Sequence, residues 1–511
     1  MAKIVKQYTK FIFPFTYEKE HVAPGKAVAM SKKGAQISIF EPFSQSTEAL
    51  RDGLDALLSQ EGGASKIADC YRLNINCRRD FNLPPRKNEQ LSFISRQSDE
   101  VMKVAITDLK LYFFESSVGF AELECEYESD SLDEYIHLNY FIGEAKSDKN
   151  RFIYHERVWN EEKKDNEVND RFFTVESLLD SVFAKLSLQK DAVKLNYRKS
   201  KPMIYSYVLL DQRPENMGEL IHNIANNYKL SYKFDDSCAK VKTLTPFENS
   251  TWAASLNGVV NVSFLTGDEI TDSFFTSDFL VKTKNTYFFL YLNIIHQRGA
   301  VIRLMGEMGQ LDRLENDYYV MDDQLRIARR YEMEAINLKF RAFFRCPSTY
   351  DHINNYYDML YSAYQIGDYY DHFSADMSNL QGICSKYVER IKERDKRFKQ
   401  IRSARAEIFI SVFGAIIATV TLFNNSWSLV EKVMGHAISF LNPGILILCL
   451  TLISSLITIA VNVSKKIGEI KSLKKLIASE QKENLVEDDK YRKIKGRLIS
   501  RIDKKNQKKK Q

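Results

Sequence analysis

Five small or polar residues, Ser411, Gly414, Ala418, Thr421 and Asn425, recur at spacings of 3, 4, 3 and 4 within an otherwise apolar run. That spacing places them on one face of a helix. Hydroxyls, amides and bare backbone on such a face can replace part of an ion's hydration shell, so copies of the helix around an axis would line a narrow aqueous path. The same residues also permit close helix packing, and the seam alone does not separate the two uses. At one end Asn424, Asn425 and Ser426 offer consecutive ion ligands for a pore entrance, or an ordinary helix terminus. At the other end Glu407 marks a charged inner mouth.

Other chemistry-bearing groups are scattered. Arg345 and His352 have the arginine–histidine spacing of HEPN ribonucleases, but Pro347 falls between them and Cys346 stands where a polar residue is usual. Arg78, Arg79, Arg86 and Lys87 beside Pro84-Pro85 suit an anion-binding patch or a solvated loop. Asp312, Glu315, Asp317, Asp322 and Asp323 suit a regulatory divalent cation, since hard cations want clustered oxygens. Helix-surface pairing with Arg313, Arg326 and Arg329 explains them equally well. The chain contains no P-loop, dinucleotide fingerprint, HExxH or nucleophile elbow. The expectation is a protein that is not an enzyme.

These residues need elements to hold them. Two uncharged runs, Ile408–Val430 and Val433–Ser464, are separated only by Glu431 and Lys432. Each is long enough for a bilayer, which takes about 20 apolar residues. The tail from Lys465 to Gln511 carries a net charge of +10 and Glu389–Arg405 a net of +5, which leaves residues 1–388 at about −8. Basic charge flanking both runs predicts two membrane-spanning helices with both termini cytoplasmic, a multi-pass protein of the inner (plasma) membrane. Such charge fits anionic headgroups better than direct nucleic-acid binding. Trp427 fits an interfacial anchor. Seven unevenly spaced cysteines with no CxxC pair fit a reduced compartment without a disulfide framework or zinc site.

Residues 1–280 read as a mixed α/β sensing domain. Strand-like runs are Val5–Phe15, Val104–Phe114, Val118–Tyr127, Met203–Leu210 and Gly258–Phe264. The second and third make a hairpin turning near Glu115–Ser117. Helical periodicity appears at Thr47–Ser59, Thr174–Leu186 and Met217–Tyr228, while Lys146–Asp170 reads as an exposed connection. Residues 281–405 form a helical and stalk region, with helices through Tyr287–Gly306 and Leu311–Phe344 and a long, once-interrupted run from Pro347 to Arg405. Residues 406–464 hold the two spans and 465–511 the basic tail. The fold class expected is therefore an α+β cytoplasmic domain with a long helical stalk and two C-terminal transmembrane helices.

This arrangement resembles the CorA superfamily of two-span metal-ion transporters, from about Val104 to Lys475. That family carries Gly-Met-Asn at the outer end of its first span, where the tripeptide holds hydrated magnesium. The matching place here reads Phe423-Asn424-Asn425-Ser426, with one asparagine retained and the glycine and methionine replaced. The N-terminal extension and the run Phe113-Phe114-Glu115-Ser116-Ser117-Val118-Gly119-Phe120 are similar to the divergent branch associated with type III CRISPR loci. The resemblance implies a homopentamer in a lipid bilayer, with a soluble domain that senses a small nucleotide-derived messenger of the SAM-AMP or cyclic oligoadenylate type. It implies an antiviral ion channel gated by that domain, and transfers no messenger-binding residue. Two alternatives stand beside it: a divalent-cation transporter of magnesium type with a degenerate entrance, and a membrane-anchored toxin or scaffold without a pore.

Overall fold

Alternating apolar residues and long β-branched runs build the first part of the chain into strands. The computed structural model describes the backbone of residues 2–433, apart from 31–35, 46–48, 52–53, 60–65, 96–97, 145–149, 161–164, 187–192, 196–200, 230–240 and 310–317, and of 450–475 apart from 451–452 and 455. The strands and helices, in chain order, are β1 (Ile4–Tyr17), β2 (Val28–Met30), β3 (Gln36–Ser38), β4 (Phe40–Pro42), β5 (Ala68–Leu73), β6 (Leu91–Ser95), β7 (Ser98–Phe114), β8 (Val118–Tyr127) and α1 (Leu132–Gly143). There follow β9 (Arg151–Asn160), β10 (Asp165–Phe173), α2 (Val175–Leu186), β11 (Val193–Leu195), β12 (Met203–Leu210), α3 (Met217–Asn226), β13 (Lys242–Phe247), β14 (Ser250–Ala254) and β15 (Gly258–Phe264). Helices α4 (Glu269–Thr276), α5 (Asp278–Lys282), α6 (Phe288–Met308), α7 (Tyr318–Ala342), α8 (Asp351–Ala363) and α9 (Ile366–Val433) complete the series, with a π turn at Thr283–Tyr287 leading into α6.

One large sheet runs in the order β10-β9-β6-β7-β8-β1-β12-β15-β14-β13, with β5 added on β7, β4 on β5 and β11 on β1. Every pair on that path is antiparallel except β12 with β15. The period of two divides each strand between two cores. Phe11, Phe13 and Phe15 of β1, Leu109 and Leu111 of β7, and Leu123 of β8 join one core with α1, α2 and α3. Tyr8 and Ile12 of β1, Tyr112 and Phe114 of β7, and Tyr205 and Tyr207 of β12 join the other with α4 to α8. Between α8 and α9 the helical run is broken at Gln365, whose φ of 54° lies in the left-handed region.

The described chain divides into two units, residues 1–314 with 326–381 and residues 315–325 with 382–511. In the second unit, Glu407 of α9 is paired with Lys466 at 2.8 Å. Among the described residues no helix is long and apolar enough to cross a membrane. This corrects the expected fold class, α+β with two transmembrane helices, to α+β with a large sheet and helices. The multi-pass inner-membrane location, and the channel assignment that rested on it, are not supported by the described helices. The charged stretch ending at Glu407 bounds the first apolar run on one side, and its side chains from 422 to 430 lie outside the described residues. Residues 434–449 of the second run lie outside the described residues, and its described helical part turns basic from Lys465.

Candidate functional site

The turn between β7 and β8, Glu115–Ser117, lines one cleft in the first unit and shares Glu115 with a second. Ser117 takes a φ of 59° so that the strands can reverse within three residues. The larger cleft holds about 900 Å³ and lies between this turn, α6 and α7. From α6 it takes His296, Ala300, Arg303, Leu304 and Glu307, and from α7 Arg330, Glu334, Asn337, Leu338 and Arg341. Both sets step by three and four residues, so each is a single helix face.

His296 anchors the inner wall. Its ring stacks on Phe114 with centroids 3.8 Å apart, and its Nε2 shares a hydrogen bond of 2.9 Å with Ser116 Oγ. It is only 2 % exposed, and burial lowers its pKa to about 3, so the imidazole is neutral at ordinary pH. Its Nδ1 has no hydrogen-bond partner among the described residues. Arg303 reaches Glu307 at 2.6 Å through Nη1 and Glu334 through Nη2, while its buried Nε is likewise without a partner. Arg341 pairs with Glu115 and donates from Nη2 to the Lys66 carbonyl at 2.5 Å.

The second cleft, about 520 Å³, shares Lys19 and Glu115 with the first. Tyr17, Tyr71 and Phe113 give it aromatic walls, with Tyr17 and Phe113 meeting edge to face at 5.1 Å. The Tyr17 hydroxyl is tied to the Phe114 carbonyl at 2.7 Å, and burial raises its pKa. Lys26 and Lys66 add positive charge, and Lys66 is matched by Asp69 at 2.6 Å. Together the described linings bring six basic side chains (Lys19, Lys26, Lys66, Arg303, Arg330, Arg341) against four acidic ones (Asp69, Glu115, Glu307, Glu334). Residues 1–388 are acidic as a whole, so this excess is local. Guanidinium forks and ammonium groups suit carboxylate or phosphate, and aromatic walls suit a flat ring.

The residues singled out in the sequence fall elsewhere. Ser411, Gly414, Ala418 and Thr421 are exposed on α9, and so are Phe409, Ile410, Val412 and Phe413 on its other faces, so exposure does not mark the seam out. The Thr421 hydroxyl donates to Ile417 O in its own helix at 2.8 Å. The side chains of Asn424, Asn425 and Ser426 lie outside the described residues, as do those of Asp312, Glu315, Asp317, Asp322 and Asp323. Glu407 is occupied by Lys466, which holds its carboxyl below the usual carboxylate range. Arg345 sits in the irregular link after α7 and His352 in the first turn of α8 against Phe247. Arg78 is neither patch nor solvated loop. It is 2 % exposed and donates from Nε to Pro84 O at 2.7 Å and from Nη2 to Ile106 O at 2.6 Å. Among the described residues no three His, Cys, Asp or Glu stand together to hold a metal ion.

None of the cleft's cationic residues was legible in the sequence, because they come from segments over three hundred positions apart. The run Phe113–Phe120 was the one available pointer, and it supplies the turn. No protein-family model matches the chain, and no curated protein matches it.

Proposed function

We propose that the first unit is a binding module for a small anionic ligand carrying an aromatic ring, of the nucleotide class. The observation that carries this reading is a cleft of about 900 Å³ walled by Lys19, Arg303, Arg330 and Arg341, a local excess of basic over acidic groups. The neighbouring aromatic cleft would take the ring and the arginine side the anionic group.

The Ser116–His296 pair supports binding rather than hydrolysis. A histidine with a pKa of about 3 is too weak a base to activate a hydroxyl at neutral pH, and no carboxylate orients its far nitrogen among the described residues.

Titration calorimetry on the full chain with AMP, ATP and inorganic phosphate tests the reading. Saturable binding of a nucleotide, weaker for phosphate alone and lost in Arg303→Ala, is expected. Absence of binding at millimolar nucleotide, or binding that Arg303→Ala leaves unchanged, would refute it.

A further inference from the structure

Away from the clefts, four polar side chains run in a line across β7, β6, β9 and β10. Lys103 Nζ donates to Ser92 Oγ at 3.0 Å, Ser92 Oγ lies 3.2 Å from His155 Nε2, and His155 Nδ1 lies 2.6 Å from Asp170 Oδ1. The ladders set this up. Ser92 is opposite Lys103 and His155 is opposite Asp170 in register. The hydrogen-bond sense is consistent throughout for a neutral imidazole. An ammonium can only donate and a carboxylate only accept, so Nδ1 carries the proton and Nε2 accepts the serine O–H.

Lys103, His155 and Asp170 of this row are exposed, while Ser92 is buried. Leu91 and Phe93 of β6 and Phe152 and Tyr154 of β9 alternate with the row and enter the α1–α3 core. Among the described residues no member of β6, β9 or β10 enters the other core. Val101, Val168 and Phe172 are exposed, 53–57 % in each case. A nucleophile, a base on its hydroxyl, a carboxylate on the far nitrogen and an apolar shelf thus share one face.

We propose that Ser92 is an acyl-accepting nucleophile, with His155 as its base, Asp170 as the positioning residue and Lys103 as the cation that faces the developing oxyanion. The substrate class is an activated ester with a small acyl group, because Ser92 is only 2 % exposed. Ser92 Oγ bonds to the ester carbonyl carbon as its proton moves to His155 Nε2 and the carbonyl electron pair moves onto oxygen beside Lys103. Collapse breaks the bond to the leaving alcohol, which takes the proton from His155. Water then attacks the acyl-serine by the same route, releasing the acid and restoring the hydroxyl. Strands pair with Ser92 on both sides, so a lone ammonium stands in for the usual pair of backbone donors. Losing one such donor lowers turnover by about 100- to 1,000-fold in enzymes that have them, which limits the reaction to good leaving groups. The alternative is a cross-strand polar ladder that only stabilises the sheet.

The test uses the full chain, a fluorophosphonate probe and p-nitrophenyl acetate. Labelling should map to the peptide containing Ser92 and vanish in Ser92→Ala, and His155→Ala should slow it about 100-fold. Asp170→Asn should lower kcat for p-nitrophenyl acetate with KM unchanged, and Lys103→Arg should retain activity that Lys103→Met loses. A stability role alone would move melting temperature and leave that split untouched. An unlabelled wild-type chain, or equal labelling of a folded Ser92→Ala variant, would overturn the assignment.

Discussion

Lys10 Nζ lies 3.0 Å from Glu122 Oε1, and solvent reaches neither side chain. The sheet register puts them together: Lys10 stands opposite Glu124 on β8, diagonal to Glu122, and Lys110 stands opposite Glu122 on β7. Lys110 Nζ reaches Glu122 Oε1 at 3.3 Å, and the Tyr112 hydroxyl donates to Oε2 at 2.5 Å. The Phe288 ring closes over Lys10 Nζ at 3.7 Å. Burial disfavours the charged form of Glu122, and Lys10 and Lys110 together outweigh it, holding the carboxyl below the usual range.

Removing the shared carboxylate should therefore cost more than removing one lysine. Glu122→Gln leaves two buried ammonium groups without their common partner and should destabilise by about 3–5 kcal/mol. Lys10→Met leaves Glu122 with Lys110 and should cost less. Urea midpoints for the two variants, compared at equal slope, check the order.

Stability should fall as pH drops, in two stages with one sign. His296 has a folded pKa of about 3 against an ordinary 6.5, so between those values the unfolded chain binds a proton that the folded chain refuses. That makes unfolding easier by about 1.4 kcal/mol per pH unit. His222 and His352, also lowered by burial, add to the start of this window. Glu122 and Glu124 are depressed carboxylates whose contribution is complete above the unfolded value near 4.5 and is lost as pH falls below it. Melting temperatures from pH 7 to 4 should slope downward, and His296→Gln should flatten the upper part.

Two glycines should answer oppositely to alanine. A Cβ on Gly258 would lie 2.5 Å from the Ile204 carbonyl oxygen, which the parallel pairing of β12 with β15 fixes in place. Gly258→Ala should destabilise by about 1–3 kcal/mol, the range for forced overpacking. Gly306 in α6 has nothing within 4 Å of such an atom, and Gly306→Ala should stabilise by up to about 1 kcal/mol through helix propensity. Thermal melts of both variants decide this.

Arg341 separates binding from folding. Its pair with Glu115 is partly exposed, at 34 % and 55 % of the side chains, so Arg341→Met should cost under about 1 kcal/mol of stability. If the cleft takes an anion, the same change should weaken nucleotide binding about tenfold or more, read by calorimetry beside the melt.

Much of the scaffold was legible because local pattern and final environment agree. Met203–Leu210 and Gly258–Phe264 are strands over the residues their β-branched composition marks. The hairpin turns at Glu115–Ser117, and β7 begins earlier than its apolar pattern suggests. Thr174 caps α2 by accepting from the Ser177 N–H at 3.1 Å. Asn216 precedes α3 without a side-chain capping bond. The stretch read as an exposed connection instead holds β9 and β10. Its charges suggested loop, but they neutralise one another across the pair: Arg171 meets Glu156 at 2.6 Å, and His155 meets Asp170.

The sequence by itself determined which runs alternate with a period of two, which recur with a period near 3.6, and that residues 1–388 are acidic, because these properties depend only on neighbours along the chain. Tertiary structure alone decided that Lys10 faces Glu122, that Arg303 and His296 line one cleft, that Ser92 meets His155, and that His155 meets Asp170. Those groups lie 112, 7, 63 and 15 positions apart along the chain. Even the close ones depend on strand register or helix face, and a one-residue slip in register would turn each strand residue to the opposite side.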